Sequence, residues 1–162
     1  MIPHHEPIRT DTQFTIRQAT LADAQQIANY NIRLAQETEG KALDPAVVNA
    51  GVTALMNQPN YGFYLVAETP AGVVGTLMIN FEWSDWRNGL FWWIQSVYVD
   101  ADWRGQGVFR RLYQAVETLA AQQGNVCGLR LHVEHDNHIA QQTYQALGMS
   151  AGSYLTYEAM KN

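Results

Sequence analysis

Apart from Gln95 and Ser96, the stretch from Leu90 to Val99 is apolar on both faces, so a strand built from it is expected in the middle of a sheet. It runs into Asp100-Ala101-Asp102-Trp103-Arg104-Gly105-Gln106-Gly107, and from there into a segment closed by Gly124. That segment, Gly105 to Gln123, repeats apolar residues at Val108, Leu112, Val116 and Leu119, the spacing of a helix with one buried stripe. A buried strand, a glycine turn and an amphipathic helix in succession require a layered α/β domain, since neither element can hide its apolar face alone.

The flanking chain agrees. Phe14-Thr15-Ile16-Arg17 alternates like a half-buried strand, and Thr20 with Asp23 signals a helix start. Ala24, Ile27, Ala28, Leu34 and Ala35 carry that helix to about Gln36, and Glu37-Thr38-Glu39-Gly40-Lys41 ends it. Asp44-Pro45 is a cap and first-turn proline for a second helix ending before Pro59. Gly62 to Glu68 and Val73 to Glu82, joined by Thr69-Pro70-Ala71-Gly72, form a hairpin. A loop over 83–89 leads into Leu90. Val126 to Val133 reads as a strand, Ile139 to Leu147 as a short helix stopped by Gly148, and Tyr154 to Met160 as a last strand. Residues 1–13 are expected to be a loose tail and 14–162 a single domain, a size that 162 residues with 47% hydrophobic side chains supports.

Charge narrows the function. Fifteen acidic against ten basic residues give −5, which disfavours nucleic acid and anionic membranes as partners. The apolar runs are too short to span a bilayer and no basic-then-apolar leader opens the chain, so a soluble, cytoplasmic protein is expected. The single Cys127, among Val126, Leu129 and Leu131, reads as a small core residue.

Against this acidic background, Arg104, Arg110 and Arg111 gather around the glycine turn, and no acidic residue occurs from Trp103 to Val116. A helix start concentrates unpaired N–H groups and the positive end of the helix dipole, and glycine lets a ligand come close to the backbone, so the turn suits a phosphate. A turn made sharp by glycines, with solvated arginines, is the plainer alternative. No Gly-Lys-Ser/Thr follows, as a P-loop needs, and no third glycine stands near Arg110, as a dinucleotide fingerprint needs. Further on, Asn137, Ala140 and Tyr144 fall on one face of a helix that follows a strand. Each alone reads as structure: Asn137 as a helix cap, Tyr144 as a packed aromatic.

Together, Arg104-x-x-Gly107-x-Phe109 and Asn137-x-x-Ala140-x-x-x-Tyr144-x-x-Leu147-Gly148-Met149, with a helix and a strand between, resemble a GNAT-type N-acetyltransferase. The resemblance follows the element order from Phe14 to Met160. It implies a GNAT-like α/β fold: a central mixed, mostly antiparallel sheet, about four helices and a shortened C-terminal strand region. It also implies acetyl-CoA as acyl donor. The pyrophosphate would lie on the turn Gly105, Gln106, Gly107, Val108 and Phe109, with Arg104 opening the motif. The pantetheine would run as a pseudo-strand beside Val97, Tyr98 and Val99, Asn137 would bind its amides, and Tyr144 would lie near the sulfur. Phe109 departs from the glycine or alanine usual at that position, so its side chain must point away from the phosphates.

In the implied reaction an amine attacks the thioester directly, and the Val97 N–H is a candidate for the oxyanion. The acceptor must lose a proton, and the glutamate that relatives often carry on the core strand is absent, Gln95 being the nearest polar residue. Glu82 is the leading substitute, with Glu37 and Glu39 behind it, and each also reads as an ordinary acidic residue at a loop edge. Trp83 and Trp86, on the loop after Glu82, are candidate walls for the acceptor. His132, His135 and His138 with Glu134 and Asp136 suggest a metal, but they divide between a strand and a helix start, so no metal is expected. The expected activity is acetyl transfer to a primary amine of a small molecule. A protein or peptide N-acetyltransferase and an acyl-CoA-binding sensor without turnover stay open, and the abbreviated sheet edge points to a homodimer.

Overall fold

The structure is a computed structural model that describes residues 13–162, so of the expected tail only Gln13 lies within the described residues. By its internal packing the chain divides into two compact units, one ending at Leu131 and one running from His132 to Asn162.

The first unit holds a five-stranded sheet in the order β1 (Thr15–Gln18), β2 (Gly62–Thr69), β3 (Gly72–Ser84), β4 (Gly89–Val99), β5 (Val126–Leu131). Neighbours are antiparallel except β4 and β5, which are parallel because a helix crosses between them. Helices α1 (Ala24–Glu39) and α2 (Pro45–Met56) join β1 to β2, and α3 (Val108–Gln122) joins β4 to β5. The fourth helix, α4 (His138–Ala146), belongs to the second unit. This is the expected mixed, mostly antiparallel sheet, with four α-helices among the described residues.

Local chemistry places the ends. The Asp44 carboxylate accepts from the Ala46 N–H at 2.9 Å, ahead of Pro45 in the first turn of α2. Gly40, at φ +62, closes α1 with its N–H on the Ala35 and Gln36 carbonyls, three residues beyond the expected end. The strands then distribute side chains by alternation. Tyr64 and Val66 of β2 pack with Ile27 and Ala28 of α1 and Val52 of α2. On the opposite face, Leu65, Leu77 and Ile79 are fully buried, as are Val108, Leu112 and Val116 of α3. Each such side chain contributes roughly 1.5–3 kcal/mol of hydrophobic stabilisation. Gly75 sets how closely α3 seats, since a Cβ there would come within 2.8 Å of Val108 Cγ1.

One polar knot ties three elements. Arg17 on β1 donates to both oxygens of Asp23 (2.7 and 2.9 Å) and both of Glu68 on β2 (2.8 and 3.0 Å). Asp23 also accepts from the Thr20 N–H at 2.8 Å, fixing the chain's entry into α1. The hydrogen bonds from Arg17 hold the Asp23 carboxyl below the usual carboxylate range.

Two sequence expectations are corrected. Cys127 is exposed, because β5 is the end strand of the sheet and the apolar residues around Cys127 do not cover it. Tyr154 to Met160 is not a strand: Tyr154, Leu155, Tyr157 and Met160 are all exposed, and no helix or strand follows α4. Apolar composition supplies β propensity but not the partner a strand needs.

Asp23→Asn is expected to lower stability by about 2 kcal/mol, because a largely shielded Arg17 loses its strongest partner. A carboxyl whose folded pKa is depressed stabilises above its unfolded pKa of about 4 and loses that contribution as pH falls toward the folded value. Thermal melts from pH 6 to pH 2 should therefore fall less steeply for the variant; parallel curves would show that Asp23 is not the acid-sensitive group.

Candidate functional site

The β4 strand changes character at Ser96. Met78 pairs with Gln95 and Thr76 with Tyr98, so Ser96 and Val97 together oppose Leu77 alone. Ser96 takes φ +50, outside the range an extended chain allows, and the strand bends there. The parallel ladder with β5 runs only from Leu90 to Ile94. Beyond Ile94, β4 is laddered to β3 and to no other strand among the described residues. Val97, Tyr98 and Val99 all lie in this singly paired half.

The strand then feeds a tight turn. The Asp100 carboxylate accepts from the Asp102 N–H at 3.1 Å and starts one short helical turn over Ala101–Trp103. Gly105 (φ +74) and Gly107 (φ +82) are both left-handed, which is why α3 begins at Val108 instead of Gly105. Gly107 is the N-cap of α3 and no side chain caps it. The helix therefore presents its positive end beside exposed, glycine-lined backbone. Gln106 donates to the Asp102 carbonyl at 2.9 Å, Val108 is buried beneath the turn, and the Phe109 ring lies 6.2 Å from that of Tyr113 on the helix.

Two of the three arginines are engaged by separate partners. Arg104 donates from Nε to the Val99 carbonyl (3.0 Å) and from Nη2 to Glu37 Oε2 (2.7 Å), with its guanidinium 5.4 Å from the Tyr98 ring centre. Arg111 donates to the Phe14 carbonyl (2.7 Å) and lies over the Phe14 ring, anchoring α3 to the start of the sheet. Arg110 is exposed on the first turn of α3.

Glu37, a candidate for the acceptor side, thus meets Arg104, a candidate for the donor side. Its other oxygen accepts from the Tyr98 hydroxyl at 2.9 Å, and the Tyr98 ring packs on Tyr30 at 4.9 Å. Arg104 first, and then Tyr98, hold the Glu37 carboxyl below its ordinary range, so it is a poor base. Burial, then the bond to Glu37, pushes the Tyr98 hydroxyl up. Glu39 makes only a local ion pair with Lys41 at 3.6 Å.

Glu82, Trp83 and Trp86 are not brought to this end of β4. Glu82 pairs across the ladder with Phe91, and Val97 lies six residues farther along, about 20 Å at 3.3 Å per residue. Glu82 Oε1 accepts from Arg130 Nη1 at 2.5 Å, and Arg130 lies 3.5 Å over Phe91. Trp83 and Trp86 are 58% and 85% exposed at the hairpin tip beyond it.

In the second unit, Asn137 is the N-cap of α4, its Oδ1 accepting from the Ala140 N–H at 3.1 Å. Tyr144 is two turns on and half-buried, and burial pushes its hydroxyl up. Among the described residues no three His, Cys, Asp or Glu side chains gather as a metal site requires, and no helix is long and apolar enough to cross a membrane.

Sequence reasoning missed Ser96, Tyr30 and the Asn80–Gln95 pair, in which Gln95 Nε2 donates to Asn80 Oδ1 at 2.5 Å. The polar pair Gln95-Ser96 inside a mostly apolar strand was the available signal for the bulge. The pairings depend on register and carry no local mark.

Comparisons with known proteins agree with this geometry. Residues 26–149 match the model of the acetyltransferase (GNAT) family. A structure described as a possible acetyltransferase from Clostridium difficile 630 is 42% identical, with a TM-score of 0.87 over 93% of this chain and 99% of that one. Two more distant structures share the fold. A ribosomal-protein-alanine N-acetyltransferase from Brucella melitensis biovar Abortus 2308 is 17% identical, with a TM-score of 0.73 over 92% of this chain and 99% of that one. A glucosamine-6-phosphate N-acetyltransferase from Arabidopsis thaliana is also 17% identical, with a TM-score of 0.69 over 91% and 99%. No curated protein sequence matches the chain significantly.

A Cβ on Gly107 would meet nothing within 4 Å, so the demand there is for φ +82 alone. Gly107→Ala is expected to cost about 1 kcal/mol, read as a lower melting temperature. An unchanged melt would show that the turn does not depend on that conformation.

Proposed function

The chain belongs to the GNAT acetyltransferase family, and on that premise we propose that it transfers an acetyl group from acetyl-CoA to a primary amine of a small molecule. The observation that carries this reading is the singly paired half of β4 running into an uncapped, glycine-lined helix start. An extended pantetheine arm has amides that can add to such a strand as a further chain would. The pyrophosphate then falls to the turn Gly105–Phe109, where backbone N–H groups and the helix dipole favour an anion. In this reading Arg104 braces the turn against Val99 and Glu37, and Arg110 is the cation left exposed on the first turn of the helix.

The amine nitrogen attacks the acetyl carbonyl, a C–N bond forms, and the C–S electron pair leaves with the thiolate. Charge on the carbonyl oxygen is met by the Val97 N–H beside the bulge. By its match to the family's motif, Asn137 binds the pantetheine amides and Tyr144 donates to the leaving sulfur. A tyrosine above its ordinary value of about 10 faces a thiol of about 8.5, so full proton transfer is uphill by at least roughly 2 kcal/mol. A hydrogen bond strengthening in the transition state is the larger contribution.

The acceptor's proton leaves to solvent. Glu82 lies about 20 Å from Val97 and is bound to Arg130, and Glu37 is held as a carboxylate by Arg104. The reaction consequently draws on the neutral fraction of the amine. The protein acts in the cytoplasm on soluble amines, and a second copy pairs along the end strand β5; gel filtration should then give the mass of two chains, and the mass of one would refute the dimer.

Thiol release from acetyl-CoA across a panel of small amines, amino acids and peptides tests the main reading. Turnover with small amines is expected, turnover with peptides alone would assign a peptide acceptor, and tight acetyl-CoA binding without any thiol release would make the protein a sensor. Tyr144→Phe should lower kcat about 10- to 100-fold with little change in acetyl-CoA affinity. The rate should rise with pH toward the acceptor's own pKa, and Glu82→Gln should leave that profile in place. A profile displaced by Glu82→Gln would restore Glu82 as the base.

A further inference from the structure

Sheet register puts Gln95 on the face that α1 and α2 pack on. Tyr64 of β2, which packs with those helices, stands opposite Met78 of β3, and Met78 stands opposite Gln95 of β4. Beside the bulge, this face carries three polar side chains, Tyr98, Gln95 and Asn80. The Tyr98 hydroxyl is committed to Glu37, and Glu37 to Arg104. Gln95 and Asn80, both half-buried, meet diagonally across the ladder, with Gln95 Nε2 donating to Asn80 Oδ1 at 2.5 Å. The strands do not need this bond, since Ile79 with Ile94 and Asn80 with Trp93 already pair there. Gln95 Oε1 takes no hydrogen bond among the described residues. Val97 lies two residues farther along β4, about 7 Å at 3.3 Å per residue, a span that a glutamine side chain and one hydrogen bond cover together.

A primary amine attacks through its one lone pair, so that pair is aimed only if an acceptor holds an N–H on the side away from the thioester carbon. A carboxylate in this place would favour the ammonium ion, which has no lone pair. An amide carbonyl accepts from the neutral amine and takes no proton, which suits a reaction drawing on the neutral fraction. As the C–N bond forms the nitrogen becomes positive, so the N–H···O bond turns charge-assisted and strengthens in the transition state. The bond to Asn80 fixes the glutamine rotamer before the amine arrives. On the premise that the protein transfers acetyl to an amine, we propose that Gln95 Oε1 binds and aims the acceptor nitrogen, and that Asn80 is the positioning residue that holds the Gln95 amide. The C–S electron pair leaves with sulfur and the amine proton goes to solvent; Gln95 accepts a hydrogen bond throughout and no proton.

The test measures acetyl transfer to the amine that the unaltered protein uses best, with acetyl-CoA affinity determined separately by calorimetry. Gln95→Met, of nearly the same length and without the acceptor, should lower kcat about tenfold and leave acetyl-CoA affinity unchanged. Gln95→Glu, which keeps an oxygen acceptor, should recover most of that loss where the amine is neutral. Asn80→Ala should lower kcat about threefold, and the double variant Asn80→Ala/Gln95→Met should be no slower than Gln95→Met alone, because Asn80 acts through Gln95. The proposal is overturned if Gln95→Met keeps full kcat, if Gln95→Glu is as slow as Gln95→Met, or if the losses at 80 and 95 multiply. Should Gln95→Met fail to fold, Asn80→Ala decides, and an unchanged kcat there overturns the proposal. An unaltered protein that transfers to no amine would overturn the acetyl-transfer reading and this assignment with it, whereas full activity in Gln95→Met removes this assignment alone.

Discussion

Ser96 stands at φ +50 within β4, and two residues of β4 face one of β3 there. A bulge of this kind leaves the strand laddered on one side and turned away on the other. β5 follows β4 only to Ile94, so the last residues of β4 keep an edge that a sheet interior normally closes. An open edge within an otherwise satisfied sheet costs hydrogen bonds unless an extended chain joins it. The glycine turn, the start of α3 and the packing of Tyr98 all follow from where that edge ends.

The elements around the edge hold it in place. Tyr30 donates to the Val73 carbonyl at 2.7 Å and stacks on Tyr98, and the Asp100 N–H donates to the Val74 carbonyl at 2.8 Å. Val74 is itself the extra residue of a second bulge, between the pairs Ala67 with Gly75 and Glu68 with Val73. Glu37, at the end of α1, gathers Tyr98 and Arg104 together, so the helix–sheet contact and the turn share one carboxylate. The protein as a whole is acidic, yet three of its ten basic residues, Arg104, Arg110 and Arg111, stand at the glycine turn or on the first turn of the helix after it.

What could be read from the sequence was what has a local cause. Asp44-Pro45, Gly40 and the glycines at 105 and 107 act through their own φ or their own side chain, and the elements they bound were found within a few residues. The strands around Leu90 and the stripe on α3 were legible because burial imprints a period on the chain. Cys127 and the segment after Tyr154 were misread because their surroundings depend on what lies alongside, which composition does not record. The same limit applies to the site. The turn and its motif were visible, whereas the Arg104–Glu37 pair joins residues 67 apart, and the distance of Glu82 from Val97 is a matter of sheet register.

The central claim is that the singly paired half of β4 and the start of α3 together hold the cofactor through their backbone. Residue-resolved amide hydrogen exchange, with and without saturating coenzyme A, measures that directly. Protection should rise within Gln95–Val99 and Gly105–Arg110 and stay unchanged over Leu90–Ile94, which β5 already pairs. Unchanged exchange within Gln95–Val99 in the presence of bound coenzyme A would contradict the account.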